Sequence, residues 1–151
     1  MTNNDVLRRL RYCFDFSDDE MMELFELGEM PVTRAKISDW LKKEDDDFFV
    51  ELVDVELAIF LNGLIIKNRG KRDGSPFMPE TRLDNNIILK KLKIALSLTS
   101  DDIIDIFKKE DRTLTKTELS AFLRNPKQNQ FRDFKDQYLR NFLTGIQKKY
   151  R

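Results

Sequence analysis

The sequence predicts an all-α protein made of two tandem copies of a roughly four-helix unit, packed together with pseudo-twofold symmetry. The first observation is an internal repeat. The chain matches itself without a gap at an offset of 82 residues, so that Asn3-Asn4 returns as Asn85-Asn86 and Phe60-Leu61 as Phe142-Leu143. The second observation is that apolar residues recur at helical spacing and strand-like alternation does not occur. A repeat of this length sets the architecture of a chain.

The repeat divides the chain into three segments. Residues 1–70 form the first repeat, residues 71–82 a connector and residues 83–151 the second repeat. Pro76 and Pro79 would interrupt any helix in the connector. Each copy alone is about as small as self-sufficient domains become, so we expect the two copies to pack on each other.

The first helix of each copy is predicted to follow an asparagine. Val6, Leu7 and Leu10 stand at helical spacing after Asn4. The second copy repeats the pattern after Asn86. Asparagine is a favoured N-cap because its side chain accepts a hydrogen bond from an unpaired main-chain amide. The sequence therefore assigns Asn4 and Asn86 as N-caps.

The second and third helices of each copy begin at further capping signals. The run Ser17-Asp18-Asp19-Glu20 has the spacing of a capping box, and Thr99 and Thr115 begin similar runs in the second copy. Thr33 precedes the third helix of the first copy. Gly28 stands where a C-terminal cap belongs.

The fourth helix has the most regular apolar pattern. Leu57, Phe60, Leu61 and Leu64 repeat at the spacing of one helix face, and the second copy has the same pattern. Glycine inside a helix costs about 1 kcal/mol relative to alanine. Because Gly63 and its counterpart Gly145 both fall inside this helix, we expect each to mark a close helix contact.

The net charge of zero is unevenly distributed. Residues 1–70 carry nine Lys/Arg and sixteen Asp/Glu, a net charge of −7, whereas residues 83–151 carry fifteen and nine, a net charge of +6. Opposite charges on the two copies favour docking of one on the other and also head-to-tail self-association. Drift after duplication is the alternative interpretation.

The sequence shows no segment that would place the chain in a membrane or direct it to secretion. No apolar run reaches the roughly 20 residues that a membrane helix needs. The N-terminus lacks a basic start followed by an apolar stretch. The single cysteine, Cys13, rules out a disulfide framework within the chain. We therefore expect a soluble cytoplasmic protein without a membrane partner.

Several longer runs resemble a known family. They are Asn4–Tyr12, Trp40–Asp45, Leu61–Ile65, Lys67–Lys71, Asp84–Leu98 and Gln137–Leu143. These runs resemble the YehS family of uncharacterised bacterial proteins, which is catalogued as a domain of unknown function. The resemblance extends over nearly the whole chain. The resemblance implies a bacterial, cytosolic tandem-repeat protein. It supplies no activity, cofactor or catalytic residue.

The residue types argue against an enzyme. The sequence has no histidine, which removes the common nucleophile–base pairs and the commonest metal ligand. Cys13 lies on an apolar helix stripe, where a buried inert thiol is expected. The cluster Glu44–Asp47 suits a weak divalent-cation site by its oxygen ligands. It lacks calcium-loop spacing, however, and a solvated acidic loop is the favoured interpretation. We expect no cofactor and no metal.

Basic residues form the candidate polyanion contacts. They lie on the first helix of each copy and after the fourth helix of the first: Arg8, Arg9, Arg11, Lys67, Arg69, Lys71, Arg72, Lys90, Lys91 and Lys93. Such residues contact phosphate in nucleic-acid-binding proteins. Basic residues on a helix face are more often simply solvated, and at a helix C-terminus they complement the dipole.

The sequence leaves three functions open, in descending order. The first is a non-catalytic helical interaction or adaptor protein with a protein partner. The second is a nucleic-acid-binding protein that uses the second repeat and the connector. A helix-turn-helix arrangement presenting Arg34, Lys36, Ser38 and Asp39 is one version of it, although its turn is long and its repeat acidic. The third is an enzyme that relies on carboxylates alone.

Overall fold

A computed structural model describes residues 1–71 and 78–151. In these residues the chain forms eight helices and no strand. The first four are α1 (Asn3–Phe14), α2 (Asp18–Leu27), α3 (Arg34–Leu41) and α4 (Asp54–Arg69). The second four are α5 (Asn85–Ala95), α6 (Ser100–Lys108), α7 (Lys116–Leu123) and α8 (Asp136–Tyr150). The all-α class and the two four-helix repeats are confirmed. None of the helices in the described residues has the length and apolar character that a membrane crossing requires.

The chain divides into two compact units, which we call unit 1 (Met1–Leu83) and unit 2 (Asp84–Arg151). The predicted connector falls partly on residues 72–77, which lie outside the described ranges and include Pro76. The residues just after them belong to unit 1, where the main-chain amide of Leu83 donates to Oδ2 of Asp54 at 2.9 Å. The packing of the repeats about a pseudo-twofold axis stays a prediction.

Capping boxes begin α2, α6 and α7, as the sequence predicts. At α2, Oγ of Ser17 accepts from the amide of Glu20, and the carboxylate of Glu20 accepts from the amide of Ser17, both at 3.1 Å. Thr99 and Thr115 accept from the third residue of their helices in the same way. These reciprocal bonds satisfy amides that have no partner within the helix.

The predicted N-caps of α1 and α5 are wrong. Oγ1 of Thr2 caps α1 by accepting from the amide of Asp5 at 3.0 Å. Oδ1 of Asp84 caps α5 by accepting from the amide of Ile87 at 2.8 Å. Asn4 and Asn86 lie in the first turn of each helix and are only 1% and 3% exposed. Their amides bind another segment of the unit, so they are not available to the helix end.

The two units agree down to the conformation of single turn residues. Asp15 and Ser97 follow the first helix of each unit and both have φ 52°. Glu29 and Asp111 follow the second helix, with φ 72° and 55°. Non-glycine residues rarely adopt this left-handed conformation. Its recurrence at equivalent positions shows that the duplicated sequence encodes the same local turns.

Each unit packs its helices around an aromatic core. Within unit 1, α1 and α2 each pack against α3 and α4, and the corresponding pairs pack in unit 2. The ring of Phe25 lies 5.1 Å from those of both Trp40 and Phe60. In unit 2, Phe122 replaces Trp40 and lies 5.1 Å from Phe134. Buried aromatic pairs add stabilisation beyond the area they bury.

Glycines lie where helices approach most closely. A Cβ on Gly63 of α4 would overlap the main-chain oxygen of Leu24 on α2, and a Cβ on Gly28 would overlap the main-chain oxygen of Ile59. Gly28 has φ −78°, so this close approach explains the glycine and a left-handed cap does not. A Cβ on Gly145 would first meet the side-chain Cγ2 of Ile106.

Candidate functional site

The connection between α3 and α4, residues 42–53, is an irregular but firmly held segment that we call the acidic loop. The side-chain amide of Asn4 donates to the main-chain oxygens of Trp40 and Val50, each at 2.9 Å. Its oxygen accepts from the amide of Leu52 at 3.0 Å. One buried side chain therefore joins the end of α3 to the last part of the acidic loop.

Further hydrogen bonds fix the rest of the acidic loop. Nη1 of Arg8 donates to the main-chain oxygen of Lys42 at 2.7 Å. The amide of Phe48 donates to Oδ1 of Asp46 at 2.8 Å, and the amide of Val50 to the main-chain oxygen of Asp39 at 3.3 Å. These bonds hold the main chain of the loop at its start, at Phe48 and at Val50.

Unit 2 repeats this scaffold in residues 124–135, which we call the basic loop. The amide of Asn86 donates to the main-chain oxygens of Phe122 at 2.9 Å and Arg132 at 2.8 Å. Its oxygen accepts from the amide of Phe134 at 3.0 Å. Nζ of Lys90 binds the main-chain oxygen of Arg124 at 3.2 Å, as Arg8 does in unit 1. The two loops thus share one framework.

The side chains on the two loops differ. In the acidic loop, Phe48 is 73% exposed, Val50 39% and Val53 46%. The equivalent positions of the basic loop are all polar or charged: Gln130, Arg132 and Lys135. An exposed aromatic side chain on an ordered backbone is a common feature of protein-binding surfaces. Unit 2 keeps the scaffold without that apolar surface.

The acidic loop also carries carboxylates next to its exposed apolar residues in the sequence. All of them are exposed: Glu44, Asp45, Asp46, Asp47 and Glu51. Within the part of the chain that the structure describes, no group of three or more His, Cys, Asp or Glu side chains is arranged to hold a metal ion. The acidic loop thus carries exposed carboxylates and exposed apolar side chains together.

Several of the candidate polyanion contacts make contacts inside their own unit. Arg8 contacts Asp5 as well as the acidic loop. Nε of Arg11 donates to the main-chain oxygen of Phe16 at 3.1 Å, and its Nη2 lies 3.1 Å from the carboxylate of Asp18. Lys67 lies 2.6 Å from the carboxylate of Glu23. These cations stabilise turns and helix pairs of unit 1.

The other candidate polyanion contacts differ in exposure. Lys91 is buried, and Arg9, Lys90 and Lys93 are half-buried. Arg69 and Lys71 are exposed near the end of α4. Arg72 lies outside the described residues.

The residues of the helix-turn-helix interpretation also make contacts within unit 1. Nη2 of Arg34 lies 2.6 Å from Oδ1 of Asp19, which joins α3 to the start of α2. Nζ of Lys36 lies 5.7 Å from the centre of the Trp40 ring. Asp39 pairs with Lys42 at 2.8 Å. The ion pair between Arg34 and Asp19 thus links α3 to α2.

Titratable groups in the described residues are perturbed mainly at helix starts. Burial raises the pKa of Asp5, but hydrogen bonds from Thr2 and the charge of Arg8 outweigh it, so this pKa lies below its ordinary value. Hydrogen bonds from Thr99 lower the pKa of Asp102 in the same way. Cys13 is buried, as the sequence predicts. Shifts of this kind belong to helix capping, which is a structural role.

Sequence comparison places the chain in a family. A family model described as a protein of unknown function, DUF1456, matches residues 3–70 and 85–151. The chain belongs to this family. It is 41% identical over 147 residues to the uncharacterised protein YehS of Escherichia coli strain K12, covering 97% of this chain and 94% of that one. No solved structure matches the chain. The two matched segments contain α1–α4 and α5–α8, so each family segment is one four-helix unit.

Sequence reasoning missed Phe48 and the role of Asn4. Two signals in the repeat could have found them. Phe48 stands where the other copy has Gln130, and an aromatic residue replaced by a polar one is a candidate for exposure. An asparagine that recurs within the apolar stripe of a helix, rather than before it, is a candidate for a buried clamp.

Proposed function

We propose that this chain is a non-catalytic interaction protein that binds a protein partner through the acidic loop. The observation that carries the proposal is Phe48, 73% exposed on a backbone that Asn4 and Arg8 hold in place. A fully buried phenylalanine contributes about 1.5–3 kcal/mol relative to an exposed one. A partner that covers Phe48 gains this energy.

The ordered loop favours binding because little conformational entropy remains to be lost. Immobilising a flexible side chain or loop residue on association costs roughly 0.5–1.5 kcal/mol each. In the acidic loop the main chain is already hydrogen-bonded at Asp46, Phe48, Val50 and Leu52. The apolar centre is therefore presented in one conformation, as in preorganised binding surfaces.

Single exposed apolar residues are normal on protein surfaces, so it matters that Phe48 has exposed apolar neighbours in the same loop. Here Val50 and Val53 extend the apolar surface along the same loop, 39% and 46% exposed. The carboxylates around them select a positively charged partner, since complementary charge raises association rates and rejects like-charged proteins. The absence of histidine from the sequence is in keeping with a function that is not catalytic.

Site-specific photo-crosslinking in cells of the source organism tests the proposal. A benzophenone amino acid is placed at position 48, and in a control chain at Ile94, an exposed apolar residue of α5 that is 48% exposed. We expect a crosslinked protein from position 48 only. A product that nuclease removes would favour nucleic-acid binding instead, and no product at position 48 would contradict a protein-binding role for the acidic loop.

A further inference from the structure

We propose that the acidic loop binds the basic loop of a second copy of this chain, so that the protein assembles head to tail. This inference rests on the proposed function of the acidic loop and names its partner. It follows from three features of unit 2 taken by itself: the charge of the basic loop, the groove beside it and the scaffold that it shares with the acidic loop.

The charge of the basic loop is opposite to that of the acidic loop. Residues 124–135 carry Arg124, Lys127, Arg132 and Lys135 against Asp133 alone. Lys127, Arg132 and Lys135 are exposed. The guanidinium of Arg132 lies 5.6 Å from the centre of the Phe122 ring. Arg132 and the two exposed lysines complement the charge of the carboxylates on the acidic loop.

A groove beside the basic loop can receive an aromatic side chain. It lies between α7 and the loop, has a volume of about 370 Å³ and is lined in part by Thr117, Glu118, Ala121, Phe131 and Arg132. A cavity of about 150 Å³ is enough to hold benzene. The small side chains of Thr117 and Ala121 leave room for a ring, and Phe131 offers it an aromatic neighbour. Phe48 of another copy has the size and chemistry for this groove.

Charge decides which loops pair. Two acidic loops would bring their carboxylates face to face, and like charges juxtaposed across an interface repel each other. An acidic loop against a basic loop is attractive, in line with the net charges of −7 in residues 1–70 and +6 in residues 83–151. Since every chain carries one loop of each kind, two copies can close into a dimer through two such contacts or add further copies.

Sedimentation velocity of the full chain tests the inference. At about 0.1 M salt we expect concentration-dependent association, which weakens as salt rises to about 1 M and the screening length falls to about 3 Å. Phe48→Gln, the residue found at the equivalent position 130, should raise the dissociation constant about tenfold or more, as loss of an interface anchor does. Ile94→Gln, the matched exposed control, should leave the constant unchanged.

Charge reversal provides a second test that does not depend on Phe48. A chain with Asp45→Lys and Asp47→Lys carries two basic loops, and a chain with Lys127→Glu and Arg132→Glu carries two acidic loops. Each should sediment as a monomer alone, and the mixture should associate. Circular dichroism melts check that both variants are folded.

Two results would overturn the inference. One is a wild-type chain that stays monomeric at all concentrations up to about 1 mM at low salt. The other is self-association that Phe48→Gln and the charge reversals leave unchanged. A monomeric chain that still crosslinks from position 48 to a different protein would leave the proposed function standing and remove only this choice of partner.

Discussion

The side-chain amide of Asn4 donates a hydrogen bond to the main-chain oxygen of Val50 at 2.9 Å, across 46 positions of the chain. With its bonds to Trp40 and Leu52, it joins the end of α3 to the end of the acidic loop. Asn86 makes the equivalent bond to Arg132 in unit 2. A buried residue of α1 therefore holds the end of the loop that carries Phe48.

Replacing Asn4 should destabilise the protein strongly. Asn4→Ala removes three hydrogen bonds and leaves the main-chain groups of Trp40, Val50 and Leu52 without this partner. At about 1 kcal/mol for each bond, with a further cost for buried groups left unpaired, the free energy of unfolding should fall by roughly 2–4 kcal/mol. Urea denaturation measures this change.

An exposed asparagine provides the control for that experiment. Asn129→Ala alters a surface position of the basic loop and should change the free energy of unfolding by less than about 0.5 kcal/mol. In Asn4→Ala, hydrogen exchange at the amide of Leu52 should also accelerate, since that amide loses its acceptor. Equal free energies of unfolding for Asn4→Ala and Asn129→Ala would show that the hydrogen bonds of Asn4 do not hold the acidic loop.

The two helix glycines should respond differently to alanine. A Cβ at position 63 overlaps a main-chain atom of Leu24, which cannot move without shifting α2. A Cβ at position 145 meets a side-chain methyl of Ile106 first, with the main-chain oxygen at 3.1 Å. Gly63→Ala should therefore cost more than about 2 kcal/mol by overpacking, and Gly145→Ala clearly less. Thermal denaturation compares them.

Second substitutions separate main-chain from side-chain obstruction. Ile106→Ala should restore part of any stability that Gly145→Ala loses, as a coupled pair in a double-mutant cycle. Leu24→Ala should not rescue Gly63→Ala, because the obstructing oxygen belongs to the main chain. Rescue at position 63, or identical costs at both glycines, would refute this account of the helix crossings.

How far the sequence predicts the structure depends on the range of each interaction. The caps Ser17, Thr99 and Thr115 act over three residues, so their spacing alone identifies them. The bonds of Asn4 join segments 36 to 48 positions apart, and no local pattern states which carbonyls it will meet. Arg8 is a similar case. In the sequence it resembles any surface cation, and only the structure shows its hydrogen bond to the main-chain oxygen of Lys42.

Chemistry at a surface is harder still to predict, since it depends on what the fold leaves uncovered. Phe48 and Phe49 are adjacent phenylalanines that no local pattern distinguishes, yet Phe48 is largely exposed and Phe49 is half-buried. The amide of Phe48 donates to the side chain of Asp46, a contact made only once the loop has folded. Comparison with Gln130 and Phe131 in the second copy is the one sequence signal that separates the two.

The cap of α1 should make stability depend on pH in acid. The pKa of Asp5 is lowered in the folded chain, so its contribution is fully present above the ordinary carboxyl pKa of about 4 and is lost as pH falls through the lower, folded value. Asp5→Asn should therefore be less stable than the wild type near neutral pH, and the gap should narrow below about pH 4. Urea denaturation at several pH values measures the gap. A gap that stays constant or widens in acid would contradict the capping role.

The one tryptophan of the chain allows the packing of the two repeats to be tested in the intact protein. Trp40 is fully buried in unit 1, so its fluorescence reports the unfolding of that unit, whereas circular dichroism reports all helices. If the repeats pack on each other because each has too small a core alone, both signals should change in a single transition. Asn86→Ala, a change in unit 2, should then lower the midpoint seen by Trp40, by roughly 4–8 °C for a loss of about 2 kcal/mol. A Trp40 midpoint that does not move, while circular dichroism shows a separate earlier step, would mean that the units unfold independently.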